Sequence, residues 1–326
     1  AGWYTSPFRI AAYIGAGCEG WGIASNESHN FAYQYTFGRA DDHEIQDILN
    51  TKLILIWGAD PTNTNLGAES IAYYIKLAKE KGIPVICIDP RFNKSAATLA
   101  DQWIPIRPGT DAAMMLAIAN VLFKEDLYNK EYVDKFVEPK GFAIWRDYVL
   151  GVSDGVDKTP EWAEKICGVP AETIRELARL YAKSKPTWLI FSWCGARQHR
   201  GENPARAAMY LQSMMGYVGV PGGQPTIRQG GALTYRATPT PRSSSLTYGG
   251  PMGLPPTGMF GNKPADYKIP VLFMNYKWAD AVLLREKFDK GEISKAEYHA
   301  TIGNPIDNPT PNIKFIWFHT NLVNQT

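Results

Sequence analysis

Lys52-Leu53-Ile54-Leu55-Ile56-Trp57-Gly58-Ala59-Asp60-Pro61 decides the fold class of this chain. An unbroken apolar run stopped by Gly and Pro has the length and texture of a strand buried on both faces. Such strands belong to parallel sheets covered by helices, whereas half-exposed antiparallel strands alternate apolar and polar residues. Moving outward, Ile71, Tyr74, Ile75 and Ala78 recur at helical spacing, and Gly82 after Lys79-Glu80-Lys81 supplies a C-terminal stop. Pro84-Val85-Ile86-Cys87-Ile88 is a second buried strand, closed by Asp89-Pro90-Arg91. Strand, helix and strand in this order make a βαβ unit.

The same grammar continues. A short strand over residues 102–106 precedes Arg107-Pro108-Gly109-Thr110-Asp111. A helix rich in Ala, Met and Leu follows from Ala112, with Thr110 or Asp111 as its cap. Thr159-Pro160 and Pro170-Ala171 open two further helices, and residues 187–193 form a third central strand. An apolar helix covers residues 204–217. From Gly223 to about Ala265 the chain is dominated by Gly, Pro, Ser and Thr and reads as a long connection. Residues 271–275 form a new strand, residues 285–297 a charged helix or hairpin excursion, and residues 314–318 a final strand. The expected organisation is an opening segment 1–44 near a metal site, an α/β domain 45–230, a linker 231–265 and the start of a second α/β domain over 266–326.

Composition narrows the function. The chain has 326 residues, a formal net charge of +2 and Lys and Arg spread along its length, so no nucleic-acid surface is implied. No apolar run reaches the roughly 18 residues of a membrane span, and the start at Ala1-Gly2-Trp3-Tyr4 lacks the pattern of a signal peptide. Cys18, Cys87, Cys167 and Cys194 form no CxxC pair, which disfavours a zinc ribbon or a local iron–sulfur site. There is no GxGxxG, so the usual nicotinamide fingerprint is missing.

Open parallel sheets bind ligands at the carboxyl ends of their strands. Here those ends read Gly58-Ala59-Asp60-Pro61-Thr62-Asn63, Asp89-Pro90-Arg91, Arg107-Pro108-Gly109-Thr110-Asp111 and Cys194-Gly195-Ala196-Arg197-Gln198-His199. Backbone amides in such turns suit phosphates, a carboxylate such as Asp89 or Asp111 accepts from a ribose hydroxyl or a guanine edge, and Arg91 suits a pyrophosphate. Each of these has a bland alternative as well: Asp89-Pro90 ends a strand, and Thr110 and Asp111 cap a helix.

Taken in order, the string 52–61, then Ile88-Asp89-Pro90-Arg91, Trp103-Ile104-Pro105-Ile106-Arg107-Pro108-Gly109-Thr110-Asp111, Lys158-Thr159-Pro160-Glu161-Trp162-Ala163 and Gly216-Tyr217-Val218-Gly219-Val220-Pro221-Gly222-Gly223 resembles the molybdopterin oxidoreductase family. Within it the chain is similar to the catalytic subunits of anaerobic dimethyl sulfoxide reductases, most strongly from Tyr35 to Gln224. The resemblance implies three-layer αβα parallel-sheet domains of the dimethyl sulfoxide reductase and formate dehydrogenase type. It implies a molybdenum bis(molybdopterin guanine dinucleotide) cofactor, with Gly58, Asp60, Thr62, Asp89, Arg91, Gly109 and Asp111 lining one dinucleotide site. Trp193, Gly195, Arg197 and Gln198 would lie near the pterin or the substrate funnel. Asn321, with His319 and Asn324, would begin the second site.

The resemblance also implies a serine ligand to the metal. Counting back from Gln34-Tyr35-Thr36-Phe37-Gly38 places Ser25 there, with Ser28 and Cys18 as rivals, and Ile23 and Ala24 depart from the acidic and aromatic residues usual before that serine. The family's N-terminal cysteine motif for an iron–sulfur cluster and its C-terminal domain are not in this sequence, as expected for a piece of a longer chain. An iron–sulfur electron-transfer subunit, a membrane-anchor subunit and an extracytoplasmic location are implied in the same way. The expected chemistry is oxygen-atom transfer on an S-oxide, an N-oxide or a similar small molecule. A hydratase or transhydroxylase on the same scaffold, or a nucleotide-binding module without catalysis, are the alternatives.

Overall fold

The computed structural model describes residues 18–21, 27–37, 45–64, 70–191, 193–225, 271–274, 277–304, 306 and 310–313. Its contacts divide the chain into two units, Ala24–Thr234, and Ala1–Ile23 together with Tyr235–Thr326. In chain order the elements begin with β1 (Cys18–Trp21), α1 (Glu27–Phe37), a 3-10 turn (Ile45–Asn50), β2 (Leu53–Trp57), α2 (Ile71–Glu80) and β3 (Val85–Ile88). They continue with α3 (Lys94–Thr98), β4 (Gln102–Ile104), α4 (Asp111–Lys124), α5 (Lys130–Phe136), α6 (Pro139–Val149), α7 (Pro160–Cys167) and α8 (Ala171–Lys183). Last come β5 (Thr187–Phe191), α9 (Trp193–Ala196), α10 (Glu202–Met214), β6 (Val271–Met274), α11 (Trp278–Leu283), α12 (Arg285–Asp289) and α13 (Lys295–Ile302).

In the larger unit every residue of β2, β3 and β5 is buried. Successive side chains of a strand point to opposite faces, and the two cores show it. Leu53, Leu55, Trp57, Ile86, Ile88, Leu189 and Phe191 join one core with Met114, Ile118, Ile174 and Leu211. Ile54, Ile56, Val85, Cys87, Trp188 and Ile190 join the other with Ile48, Ile71 and Ile75. The result is a parallel sheet between two helical layers, the α/β arrangement that the apolar run predicts. Each fully buried Leu or Ile contributes about 1.5–3 kcal/mol relative to exposure, so β2 alone anchors both layers.

The sheet order is β4-β3-β2-β5, all parallel. From β2 the chain steps outward to β3 and β4, then returns to the opposite side of β2 with β5. The order therefore reverses between β2 and β5, and crevices for ligands open beyond the carboxyl ends at such a switch point.

Local signals explain the helix ends. The Thr159 side chain accepts from the Trp162 amide with Pro160 at the first turn, and Gly168 closes α7 at φ 76°. The mixed stretch before Val149 resolves into α5 and α6, capped by Asn129 and Glu138. Two strands are shorter than the sequence suggests. β4 stops at Ile104, and β5 stops at Phe191 so that Trp193 already opens α9. Helix α1, which falls in the expected opening segment, packs against α10 and buries His29, Ala32 and Tyr33.

In the smaller unit β1 pairs in parallel with β6, Cys18 opposite Val271 and Trp21 opposite Met274. Ala281, Tyr298 and Ile302 form a small core there, with the Tyr298 hydroxyl donating to the Ala281 carbonyl at 2.5 Å. Among the described residues no helix is long and apolar enough to cross a membrane. The expected strand over 314–318, the whole of the linker 231–265, and Ser25, His319, Asn321 and Asn324 lie outside the described residues.

Candidate functional site at the strand ends

The switch point is narrow because two glycines line it. Gly58 leaves β2 at φ +59°, and a Cβ there would lie 3.7 Å from the backbone of Gly195. A Cβ on Gly195 would run into the Phe191 ring at the end of β5. Gly195 is thus required by packing, and Gly58 by its left-handed backbone.

Asp111 sits beside this gap, 7% exposed at the start of α4. Its carboxylate accepts from its own amide, while Thr110, whose hydroxyl donates to the Arg107 carbonyl at 2.7 Å, makes no side-chain cap. The Asp111 carboxylate also accepts from the Trp57 indole N–H at 2.9 Å and from the Gln198 amide. Gln198 Nε2 also donates to the Gly195 carbonyl at 2.7 Å. Gly109, at φ +77°, leaves room for this glutamine, since a Cβ there would stand 2.8 Å from Gln198 Oε1. The structure therefore brings Gly58, Gly109, Asp111, Gly195 and Gln198 together, from the ends of β2 and β5 and the turn before α4.

A second network joins the ends of β2 and β3. Asp60 Oδ1 accepts from the Thr62 hydroxyl at 2.8 Å, the Ser95 hydroxyl at 2.7 Å and the Ser95 amide at 3.1 Å. Its Oδ2 accepts from Asn63 at 2.6 Å and lies 3.8 Å from the Arg91 guanidinium. Asp89 accepts from the Arg91 amide at 2.8 Å, and its own carbonyl accepts from the Trp103 indole at 2.9 Å. Asn93 caps α3 and donates to the Ala59 carbonyl at 3.2 Å.

Cations divide by their surroundings. Arg107 is used structurally, donating to the Lys165 and Ile166 carbonyls at 3.0 and 3.3 Å at the end of α7. The Arg91 side chain is 77% exposed at the strand ends. Arg197, His199 and Arg200 are exposed in the loop after α9, with Arg200 at φ 55°. Trp193 is the first residue of α9.

The carboxylates differ in their proton affinity. Burial pushes Asp111 up, against the hydrogen bonds from Trp57 and Gln198, and the charge of Asp89 adds to the rise. Burial also pushes Asp89 up, against the Arg91 amide and guanidinium. At Asp60 burial acts in the same direction, but the bonds from Ser95, Thr62 and Asn63 prevail and its pKa falls below the ordinary value.

Opposite pH effects follow. An unfolded Asp titrates near 3.8. Asp111 keeps its proton to higher pH in the fold, so stability is lost as pH rises from that value through the raised one. Asp111→Asn removes this loss, and the variant should gain on the native protein across that window and hold a constant lead above it. Asp60 stabilises fully above 3.8 and loses its contribution as pH falls through its lowered value. Asp60→Asn should therefore be weaker at neutral pH and converge with the native protein in acid. Urea unfolding followed by tryptophan fluorescence from about pH 3 to pH 7 measures both, and parallel curves for the three proteins would contradict the assignment.

Sequence reasoning did not single out Trp57, Asn93 or Ser95. Asn93 carried a signal, as an Asn directly before a helix. Trp57 and Ser95 carried none, since their partners are distant in sequence.

Fold and strand-end geometry define an open α/β protein whose strand order reverses between β2 and β5. The family model for molybdopterin oxidoreductase matches residues 10–298. This chain belongs to that family. It is 39% identical over 210 residues to dimethyl sulfoxide reductase DmsA of Haemophilus influenzae, covering 60% of this chain and 26% of that protein. To the dimethyl sulfoxide/trimethylamine N-oxide reductase of Cereibacter sphaeroides it is 42% identical over 179 residues, covering 53% of this chain and 21% of that protein. Among solved structures, acetylene hydratase from Pelobacter acetylenicus is similar with a TM-score of 0.52 and 24% identity, over 68% of this chain and 28% of that one; this likeness concerns the fold. The chain thus spans under a third of the length of these relatives.

Proposed function

We propose that this chain works in an oxidoreductase that transfers an oxygen atom, and that its switch-point crevice holds one guanine dinucleotide arm of a molybdenum bis(molybdopterin guanine dinucleotide) cofactor. The observation that carries the reading is the convergence of Gly58, Gly109, Asp111, Gly195 and Gln198 at the ends of β2 and β5. The family's molybdopterin chemistry and relatives named for S-oxide and N-oxide reduction supply the class of reaction.

The residues present fit the nucleotide part of such a group. Asp89 is an acceptor for ribose hydroxyls and for the amino edge of guanine, and buried Asp111 would line the site by holding Trp57 and Gln198 in place. The Gly58 and Gly195 turns let backbone approach closely, and exposed Arg91 suits a diphosphate. Trp193 and Arg197 would stand toward the pterin, Ser25 would offer a hard oxygen ligand to the metal, and Asn321 would open a second dinucleotide site. When bound, the cofactor supplies the oxygen-atom transfer and its two-electron cycle. The chain's part is to bind the nucleotide, orient it and exclude water around the buried Asp111. An iron–sulfur cluster and electron-transfer partner, a membrane-anchor subunit and an extracytoplasmic site of action complete the proposal.

Metal and nucleotide analysis of the protein purified without oxygen tests it. Molybdenum with about two GMP released per metal atom on acid hydrolysis is the expected result. A folded preparation with neither molybdenum nor GMP would sink the oxidoreductase reading.

A further inference from the structure

We infer that Ser95 is a positioning residue of the nucleotide site, and that its partner Asp60 faces the protein and holds two strand-end turns in one frame. The inference rests on the nucleotide reading proposed above and adds the device that shapes the site.

Ser95 is fully buried, on a helix of only five residues. Its hydroxyl donates to Asp60 Oδ1 at 2.7 Å, accepts from the Thr62 amide at 3.1 Å and lies 3.1 Å from the Thr62 hydroxyl. Its amide adds a second link to Asp60, also at 3.1 Å. Thr62 and Asp60 belong to the turn after β2, whereas Ser95 follows the turn after β3. Asn93 makes a separate bridge between the same turns, through the Ala59 carbonyl at 3.2 Å, while its own Oδ1 accepts from the Ala96 amide at 2.8 Å.

The consequence concerns acceptors. Both oxygens of Asp60 are engaged within the protein, and its side chain is only 10% exposed. A ribose or a base would have to displace bonds to Ser95, Thr62 or Asn63 to use it. Asp89 accepts from the Arg91 amide at 2.8 Å and from the Asn93 side chain, but unlike Asp60 it remains partly exposed at the same edge. The acceptor role at β3 therefore falls to Asp89, and the Asp60–Ser95 lock fixes where Asp89 and Arg91 stand relative to Gly58. Groups that orient a ligand-contacting residue commonly change affinity ten- to a hundredfold when removed, roughly.

The test uses the 326-residue chain with GDP as the probe. Binding is measured by calorimetry, and the Asp60 carboxyl is titrated by carbon-13 NMR without ligand. Ser95→Ala should weaken GDP binding roughly tenfold or more and raise the Asp60 titration. Ser95→Thr, which keeps the hydroxyl, should restore the low Asp60 titration and most of the binding. Asp60→Asn serves as an independent variant, and its effect on GDP should not add to that of Ser95→Ala. If Ser95→Ala raises the Asp60 titration but leaves GDP affinity within about twofold, the lock exists without positioning the site and the inference is overturned. No GDP binding by the native chain would instead overturn the nucleotide reading itself, which the ligand-free titration separates from a failure of the lock.

Discussion

Gly201→Ala should destabilise the larger unit by about 3 kcal/mol, the upper end of what forced overpacking usually costs. Gly201 is the N-cap of α10, and a Cβ there would run into the Ala196 carbonyl and stand 3.0 Å from the Ala196 Cα. The obstacle is backbone, so no rotamer relieves it. The Gly201 amide also donates to the Gln198 carbonyl at 3.0 Å, closing the loop that carries Arg197, Gln198, His199 and Arg200. To make room the loop must open, and Gln198 then leaves the carboxylate of Asp111. Urea unfolding should show the lost stability, and GDP binding should weaken with it. A variant within about 0.5 kcal/mol of the native protein would mean that the loop yields more easily than its hydrogen bonds indicate.

Trp57 carries the second large effect. Its side chain is 1% exposed between β2 and α4, and its indole is a donor to buried Asp111. Trp57→Ala should cost about 3–5 kcal/mol, as for other buried large aromatics. Trp57→Phe separates volume from the hydrogen bond. It fills most of the space but leaves Asp111 short of a donor, which should cost about 1–3 kcal/mol. Adding Asp111→Leu to Trp57→Phe should recover part of that loss, because replacing both partners by apolar groups is cheaper than orphaning one. If the double variant is as unstable as the sum of the two single ones, the pair is not what Trp57 contributes.

The sheet was legible because β2, β3 and β5 are apolar without interruption, and only a parallel sheet between two helical layers hides both faces of such runs. Helix ends were legible where the local chemistry was complete, as at the Gly82 stop and the Thr159-Pro160 start. Strand β1 was not, since Cys18-Glu19-Gly20-Trp21 has neither alternation nor an apolar run, and its partner is β6, far along the chain. Helix α1 was obscured by its aromatics at 31, 33, 35 and 37, whose spacing of two is that of a strand, although His29, Ala32 and Tyr33 turn inward at helical spacing. Within the site, Gly58 and Asp111 stood out as polar or flexible residues at strand ends. What they touch did not, because the Trp57–Asp111 bond spans 54 positions and the Ser95–Asp60 bond 35. Local pattern carries no information about such pairs. It suggested a cap for Asp111, where tertiary packing buries the carboxylate instead.

Nucleotide binding at the switch point is tested most directly by amide hydrogen exchange of the chain with and without saturating GDP. Protection should rise at residues 58–62, 89–95, 109–111 and 195–198, the turns at the carboxyl ends of β2, β3, β4 and β5, with no change at the amino ends near Leu53, Val85 and Thr187. Protection at the amino ends, or none anywhere at saturation, would contradict a nucleotide site in this crevice.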